Sequence, residues 1–297
     1  MKEAPQCTVV IPTYEPPAQF NGAIRYWLAQ RDVTVDIVLV DTRQDGCVVV
    51  TESPNSGLVR SVPISKTKFT HSVARNLGLR QVNAEFVCFA VQDVVPDGEY
   101  VLAQLIDRVN GSIIAAFAKQ VSVGVDSLVR ELNYPDRDRV ISAATEPVIL
   151  SNACAVYRTQ WLLDVGGFPN VVTNEDREIA KVAFSREQAV AYVSTARVSH
   201  DHGVNLVGRF RRGFDYGVYL ADLKAFSGTK QSNGLDKPAT FFIQLAKAAI
   251  REGKFGRLAL TLVCRTAHEL GAGAGRVHRL LPESVSRRLS QCPGRWR

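Results

Sequence analysis

The chain is poor in several features, and each absence excludes something. No run of eighteen consecutive apolar residues occurs among its 297 residues, so no segment reads as a membrane-spanning helix. The start, Met1-Lys2-Glu3-Ala4-Pro5, lacks the apolar core and cleavage site of a signal peptide, and a cytoplasmic protein is the expectation. The six cysteines, at 7, 47, 88, 154, 264 and 292, form no CxxC pair, and Cys7 and Cys88 sit inside apolar runs. They read as reduced core residues rather than metal or disulfide sites. No GxGxxG and no GxxxxGK[ST] is present, which argues against a dinucleotide enzyme and a P-loop. Zinc-finger, RNP and helix-turn-helix signatures are missing too, so nucleic acid is not an expected partner. There is no internal repeat.

What is present is ordinary globular composition, 46% apolar and 22% charged. Apolar strand-like runs at 7–12, 33–40, 59–64, 86–91 and 112–118 alternate with helical spacing at 20–30, 70–82 and 100–109. This rhythm predicts an α/β fold with a mostly parallel central sheet flanked by helices. Residues 121–147 read as irregular and polar. Strands are expected at 153–157, 189–193 and 196–199, and helices at 159–165, 175–184 and 206–226, the last strained at Gly213 and Gly217. A turn-rich stretch, 227–238, suggests a catalytic domain over 1–226 and a helical region over 227–297, its helices interrupted at Gly271–Gly275.

Two acidic clusters follow apolar runs. Gln92-Asp93 comes directly after Phe86–Val91, and Asn174-Glu175-Asp176 comes after Gly166-Gly167-Phe168-Pro169. His200-Asp201-His202 lies 24 positions beyond Asp176. Carboxylates and an imidazole at strand ends suit a metal and a base gathered at one sheet edge. Asp93 is the metal candidate, because Mg²⁺ or Mn²⁺ on a nucleoside diphosphate needs only one or two carboxylates. Asp41 closes a strand where a carboxylate can accept from a base or ribose, and Thr13-Tyr14-Glu15 follows the first strand at the same edge. His200 and His202 alternate along an extended segment, so at most one joins the site while the strand persists. Arg209, Arg211 and Arg212 offer guanidinium groups to phosphate, in a diphosphate or an acceptor role.

These segments resemble the inverting family 2 glycosyltransferases of the GT-A fold, and most of all the bacterial rhamnosyltransferases. The resemblance is carried by Val9-Val10-Ile11-Pro12-Thr13-Tyr14, Phe69-Thr70-His71, Ala74-Arg75-Asn76-Leu77-Gly78 and Gln92-Asp93-Val94-Val95-Pro96. It continues through Ser151–Arg158, Gly166–Pro169, Glu175-Asp176, His200-Asp201-His202, Phe210–Gly217 and the Arg288-Leu289-Ser290 ending. It implies that Pro12, Thr13, Tyr14, Glu15 and Asp41 line the donor nucleotide. Arg75, Gln92, Arg209 and Arg212 would approach the nucleotide or its phosphates. It further implies Asp93 and His200 as ligands of Mg²⁺ or Mn²⁺, Asp176 as catalytic base and Glu175 as an acceptor contact. The family's DxD is reduced here to Gln92-Asp93. The implied reaction moves L-rhamnose from dTDP-rhamnose to a hydroxyl of a growing cell-surface glycan or polyprenyl-linked acceptor. A family 2 transferase using UDP-galactofuranose, UDP-glucose or a UDP-N-acetylhexosamine is a competing reading, and so is a non-catalytic nucleotide-sugar-binding scaffold.

The net charge of +7 is concentrated late: residues 204–297 hold 17 Lys and Arg against 6 Asp and Glu. Within 239–297, Phe241, Phe242, Leu245 and Ile250 form one apolar side, with Lys247, Arg251 and Lys254 nearby. Leu258, Leu260, Leu262 and Val263 continue it. Two readings stand: peripheral contact with an anionic membrane at the inner face of the plasma membrane, or packing on the catalytic core or on a second subunit of a homo-oligomer.

Overall fold

The computed structural model describes residues 6–14, 16, 20–43, 58–122, 124–125, 127–144, 150–200, 204–227, 238–253 and 255–296. In chain order the elements begin β1 (Cys7–Thr13), α1 (Phe20–Leu28), β2 (Val35–Asp41), β3 (Val59–Pro63), α2 (His71–Leu79), β4 (Phe86–Ala90), β5 (Val94–Pro96) and α3 (Val101–Arg108). Next come β6 (Ile113–Val121), α4 (Ser127–Asn133), β7 (Arg139–Ile141), β8 (Cys154–Arg158), α5 (Thr159–Asp164), α6 (Glu175–Ser185) and β9 (Ala189–His200). Four helices finish the chain: α7 (Leu206–Ser227), α8 (Pro238–Glu252), α9 (Phe255–Arg276) and α10 (Glu283–Leu289).

The strands form one sheet in the order β3-β2-β1-β4-β8-β6-β9-β5, with β7 also paired to β9. Six of the nine run in one direction, and β5, β7 and β8 run against them. Period-two alternation divides the core between the two faces. Val9 and Ile11 join Trp27, Leu102 and Cys88 on one side, whereas Val10 joins Phe89, Tyr157 and Phe168 on the other. The carboxyl ends of β1, β2, β4, β6 and β9 share one edge. Because β8 runs the opposite way, its entry at Ser151–Asn152 reaches that same edge.

The structure departs from the expected pattern in four places. The 121–147 stretch contains α4 and β7, elements too short to show periodicity. The two strands expected at 189–193 and 196–199 are one strand, β9, with a bulge between its pairings Ala118–Val193 and Lys119–Arg197. The bulge is held by Asp138, whose Oδ1 accepts from Ser194 N (2.8 Å) and Ser194 Oγ (2.7 Å). Neither glycine group breaks a helix: α7 runs through Gly213 and Gly217, and α9 through Gly271–Gly275.

Those glycines let two backbones touch. A Cβ on Gly213 would sit 2.0 Å from His268 O, and one on Gly217 would sit 2.2 Å from Ala272 O. Reciprocally, a Cβ on Gly271 or Gly275 would meet the carbonyl of Phe210 or Phe214 at 2.0 Å. The contact advances in the same direction on both helices, from Gly213 with His268 to Gly217 with Ala272, so α7 and α9 run parallel. Asp215 on α7 accepts from Ser290 Oγ and Gln291 N and so holds the C-terminal tail against this helix pair. Replacing Gly217 by Ala is expected to destabilise the chain by about 1–3 kcal/mol through overpacking. Gly273 has nothing within 4 Å of such a Cβ, and its replacement by Ala is expected to be neutral or stabilising by up to about 1 kcal/mol. Urea unfolding of both variants checks this, and equal effects would contradict the packing account.

Candidate active site

A cavity of about 690 Å³ opens at the carboxyl edge of the sheet. Pro12, Tyr14, Arg75, Gln92, Asp93, Glu175, Asp176, His200 and Arg212 all line it, so most of the residues singled out in the sequence converge on one space.

The second acidic cluster is built from α2. Thr70 caps this helix, its Oγ1 accepting from Val73 N at 3.1 Å. Ser72, Arg75 and Asn76 then share one face by their three- and four-residue spacing. Ser72 Oγ donates to Val171 O (3.2 Å), and Asn76 exchanges two 2.8 Å bonds with the Phe168 backbone. Arg75 donates to Glu175, and both side chains are almost fully buried. The loop before α6 is thereby tied down. It ends at Asn174, whose left-handed backbone (φ 61°) turns the chain into the helix.

The two carboxylates that follow have different fates. Burial alone would raise the Glu175 carboxyl, but the Arg75 guanidinium, helped by the hydrogen bonds the carboxylate accepts, holds it below its ordinary value. Asp176 is pushed up to about 7, first by burial and then by the neighbouring Glu175 charge. Its oxygens accept from Asn152 N (3.2 Å) and Arg177 N (2.9 Å), which fixes the carboxylate on the cavity wall. The arrangement is a half-buried carboxylate poised to gain or lose a proton near neutrality, beside a permanently charged partner.

The first cluster is organised differently. Gln92 clamps the end of β1: its Oε1 accepts from Tyr14 N (2.8 Å) and its Nε2 donates to Tyr14 O (3.3 Å). Its amide is therefore spent on positioning Tyr14, whose ring meets Phe69 edge-on at 5.4 Å. Asp93 stands opposite His200, with Oδ1 3.5 Å from Nε2. Among the described residues no group of three or more His, Cys, Asp or Glu side chains gathers to bind a metal. A carboxylate and an imidazole facing each other on the cavity nevertheless fit Mg²⁺ or Mn²⁺, which usually keeps waters and substrate phosphates as its other ligands.

The other candidates from the sequence lie elsewhere. Thr13 is fully buried and does not line the cavity: its Oγ1 donates to Val40 O (3.5 Å) and its carbonyl accepts from Thr42 Oγ1 (3.3 Å). Asp41 is buried as well, its carboxylate held by Arg43 Nε (2.9 Å), Nη2 (2.6 Å) and N (2.9 Å). Each lies at the predicted strand end, but the pleat turns it inward. Arg209 is not on the cavity wall, whereas Arg211 is. Arg75 reaches the cavity with its guanidinium already engaged by Glu175. Glu15 and His202 lie outside the described residues.

Other lining residues were given no role in the sequence. His71 is pushed down to about 4 by burial and by the Arg75 cation, which makes it an uncharged ring at neutral pH. Arg287 and Arg288 reach the cavity from α10. The tail beyond them is latched by Asp215, which accepts from Ser290 Oγ (2.5 Å) and Gln291 N (2.9 Å). The cavity thus takes walls from both sides of the expected 226/227 boundary.

The chain matches no family model. It is 24% identical over 238 residues to the O-antigen chain rhamnosyltransferase WbaN of Salmonella anatum, a match spanning 73% of each protein. The O-antigen chain rhamnosyltransferase RfbN of Salmonella typhimurium is 24% identical over 229 residues, 72% of each. Among solved structures, the mannosyltransferase PcManGT from Pyrobaculum calidifontis, in complex with GDP-Man and Mn²⁺, superposes with a TM-score of 0.56. It is 17% identical, and the match covers 99% of this chain and 83% of that one. S. aureus TarS residues 1–349 superpose at 0.50, with 16% identity over 93% and 91% of the two chains. The chain has the GT-A glycosyltransferase fold. Over nearly three quarters of its length it also resembles bacterial rhamnosyltransferases in sequence. In GT-A terms the Asp93–His200 pair sits at the carboxyl edge where an open α/β sheet receives its ligand.

Replacing Arg75 by Met leaves Glu175 as a buried, uncompensated charge. The expected loss is about 3–5 kcal/mol of folding stability at neutral pH, read by chemical denaturation. A loss within the range of an ordinary surface substitution would contradict the pairing.

Proposed function

We propose that this chain is an inverting, divalent-metal-dependent glycosyltransferase that moves L-rhamnose from dTDP-rhamnose to a hydroxyl of a growing cell-surface glycan or lipid-linked acceptor. The observation that carries the reading is Asp176: a half-buried carboxylate on the cavity wall, its carboxyl raised to about 7, in the same cavity as the Asp93–His200 pair. The sequence likeness to two O-antigen rhamnosyltransferases supports the sugar and the glycan acceptor. The complex of PcManGT with GDP-Man and Mn²⁺ supports a nucleotide-sugar donor and a divalent ion.

The division of labour follows from the chemistry. Pro12 and Tyr14 border the donor end of the cavity, with Tyr14 fixed by Gln92. Asp93 and His200 would hold Mg²⁺ or Mn²⁺, which when bound neutralises charge on the donor diphosphate. Asp176 accepts the proton of the acceptor hydroxyl as that oxygen attacks the anomeric carbon. Glu175, kept ionised by Arg75, cannot take this proton at neutral pH but sustains the basicity of Asp176 and orients the acceptor. A single base on the face opposite the leaving group gives inversion, as in inverting glycosidases. Arg211, Arg212, Arg287 and Arg288 supply positive charge to anionic substrate groups.

Replacing Asp176 by Asn is expected to lower turnover by roughly 10²–10⁴-fold while leaving dTDP binding intact by calorimetry. The sign of the pH dependence is fixed: protonated Asp176 cannot accept a proton, so kcat/KM rises as pH passes about 7. A profile flat through that region, or retained turnover in the variant, would remove Asp176 from the role.

The C-terminal helices complete the proposal. Leu245 and Ala249 of α8 pack on Leu128 of α4, which anchors the region to the catalytic core. Phe242, Ile243 and Ile250 of α8 and Phe255, Val263 and Leu270 of α9 remain exposed. With Lys247 and Arg251 beside them, this surface suits peripheral contact with anionic lipid that presents a polyprenyl-linked acceptor. No helix among the described residues is long and apolar enough to cross a membrane. Co-sedimentation with anionic vesicles is expected for the wild type and lost on combining Phe242→Glu with Ile250→Glu. Equal behaviour of the two proteins would contradict the contact.

A further inference from the structure

We propose that Gln120 is a positioning residue for the Asp93–His200 pair: it sets which ring nitrogen of His200 carries the proton and so presents the other, Nε2, to the cavity as a lone pair. The inference rests on the reading that this pair receives a divalent cation.

Gln120 lies near the end of β6 and is 2% exposed. Its Nε2 stands 2.6 Å from the Tyr134 hydroxyl and 2.8 Å from Ser151 Oγ, both of which can accept. Arg130 donates through Nη1 to the Gln120 Oε1. A guanidinium has no acceptor, so the atom it meets must be the amide oxygen. The amide orientation is therefore determined by its partners rather than arbitrary.

That oxygen also stands 2.7 Å from His200 Nδ1. Arg130 Nη2 stands 3.0 Å from the same nitrogen. The two contacts demand opposite tautomers of the uncharged ring. Arg130 requires Nδ1 to accept, which places the ring proton on Nε2. Gln120 requires Nδ1 to donate, which leaves Nε2 as an acceptor. The shorter contact decides. Without a proton on Nδ1, two lone pairs would face each other at 2.7 Å, whereas a protonated Nε2 would gain only a 3.5 Å approach to Asp93 Oδ1, too long for a normal hydrogen bond. In the uncharged ring, the form that can ligate a metal, the proton belongs on Nδ1.

This leaves the Nε2 lone pair and the Asp93 carboxylate, two acceptors, facing each other across 3.5 Å. Nε2 and Asp93 Oδ1 are thus placed to share a divalent cation. Ligating histidines commonly donate their second ring N–H to an oxygen that fixes tautomer and orientation, and loss of such a partner typically costs 10–100-fold in metal affinity. Arg130 makes the amide oxygen a fixed acceptor, and Tyr134 with Ser151 anchors the other end. Gln120 thus reaches the metal position through His200 without touching substrate.

Two readouts test this on the full chain. The first is the tautomer of His200 in the metal-free protein, read from its nitrogen-15 ring resonances and assigned with His200→Gln. Wild type is expected to be protonated at Nδ1. Gln120→Met, which keeps the length but removes the acceptor, is expected to shift the proton to Nε2, because Arg130 then remains as the donor to Nδ1. The second is Mn²⁺ affinity by electron paramagnetic resonance in the presence of dTDP. Gln120→Met is expected to weaken it about 10–100-fold. Gln120→Glu is expected to preserve it within a few-fold, since its carboxylate accepts from Arg130, His200 and both hydroxyls. A wild-type ring protonated at Nε2, or an unchanged tautomer in Gln120→Met, overturns the assignment of Gln120. Wild type that binds no Mn²⁺ overturns the metal reading beneath it, an outcome separate from any tautomer result.

Discussion

The buried pair between Arg75 and Glu175 is the constraint on which the site depends. Burying an ionised carboxylate is costly unless a cation and good geometry accompany it. Arg75 meets both demands because α2 is already tied, through Ser72 and Asn76, to the loop that ends at Asn174. Once Glu175 is held ionised, its charge stands beside the next residue along α6. The shift of Asp176 toward neutrality then follows from burial and from that fixed charge. One ion pair therefore joins two elements and sets the proton affinity of a neighbouring group.

The other half of the cavity uses a different device. There the sheet edge delivers Asp93 and His200 from β4 and β9, strands separated in the sheet by β8 and β6. The polar side chains behind them form a connected set: His200 leads to Gln120, Gln120 to Ser151, and the adjacent Asn152 donates its backbone N–H to Asp176. The two acidic clusters, remote in sequence, are thus linked through the entry of β8. In the proposed reaction one cluster acts on the leaving diphosphate and the other on the incoming hydroxyl. The protein between them fixes their separation.

Much of this was legible in the sequence. Apolar runs of the right length marked β1, β2, β4 and β6, and a carboxylate just beyond one of them marked Asp93, whereas the part given to Asp176 came from the family resemblance. Inward or outward direction was not legible. Thr13 and Asp41 occupy the expected strand ends but point into the core, because the twist and pleat of the last residue depend on neighbouring strands. Arg75 was visible as a cation of the site, but its commitment to Glu175 needs a contact across 100 positions. The glycines of α7 and α9 show the same limit. Taken one helix at a time they signal weakness, and only the pairing of the two helices shows them to be contact surfaces. Gln120, a single amide within an apolar strand, carried no pattern at all.

The dependence of Asp176 on its charged neighbour is the central claim, and it can be measured directly. The carboxyl carbon-13 resonance of Asp176, followed against pH in the ligand-free protein, is expected to titrate near 7 in the wild type. In Glu175→Gln the neighbouring negative charge is gone and Arg75 is released to act on Asp176, so the midpoint is expected to move clearly to lower pH. A wild-type midpoint in the ordinary carboxylate range, or one unmoved by the substitution, would contradict the account.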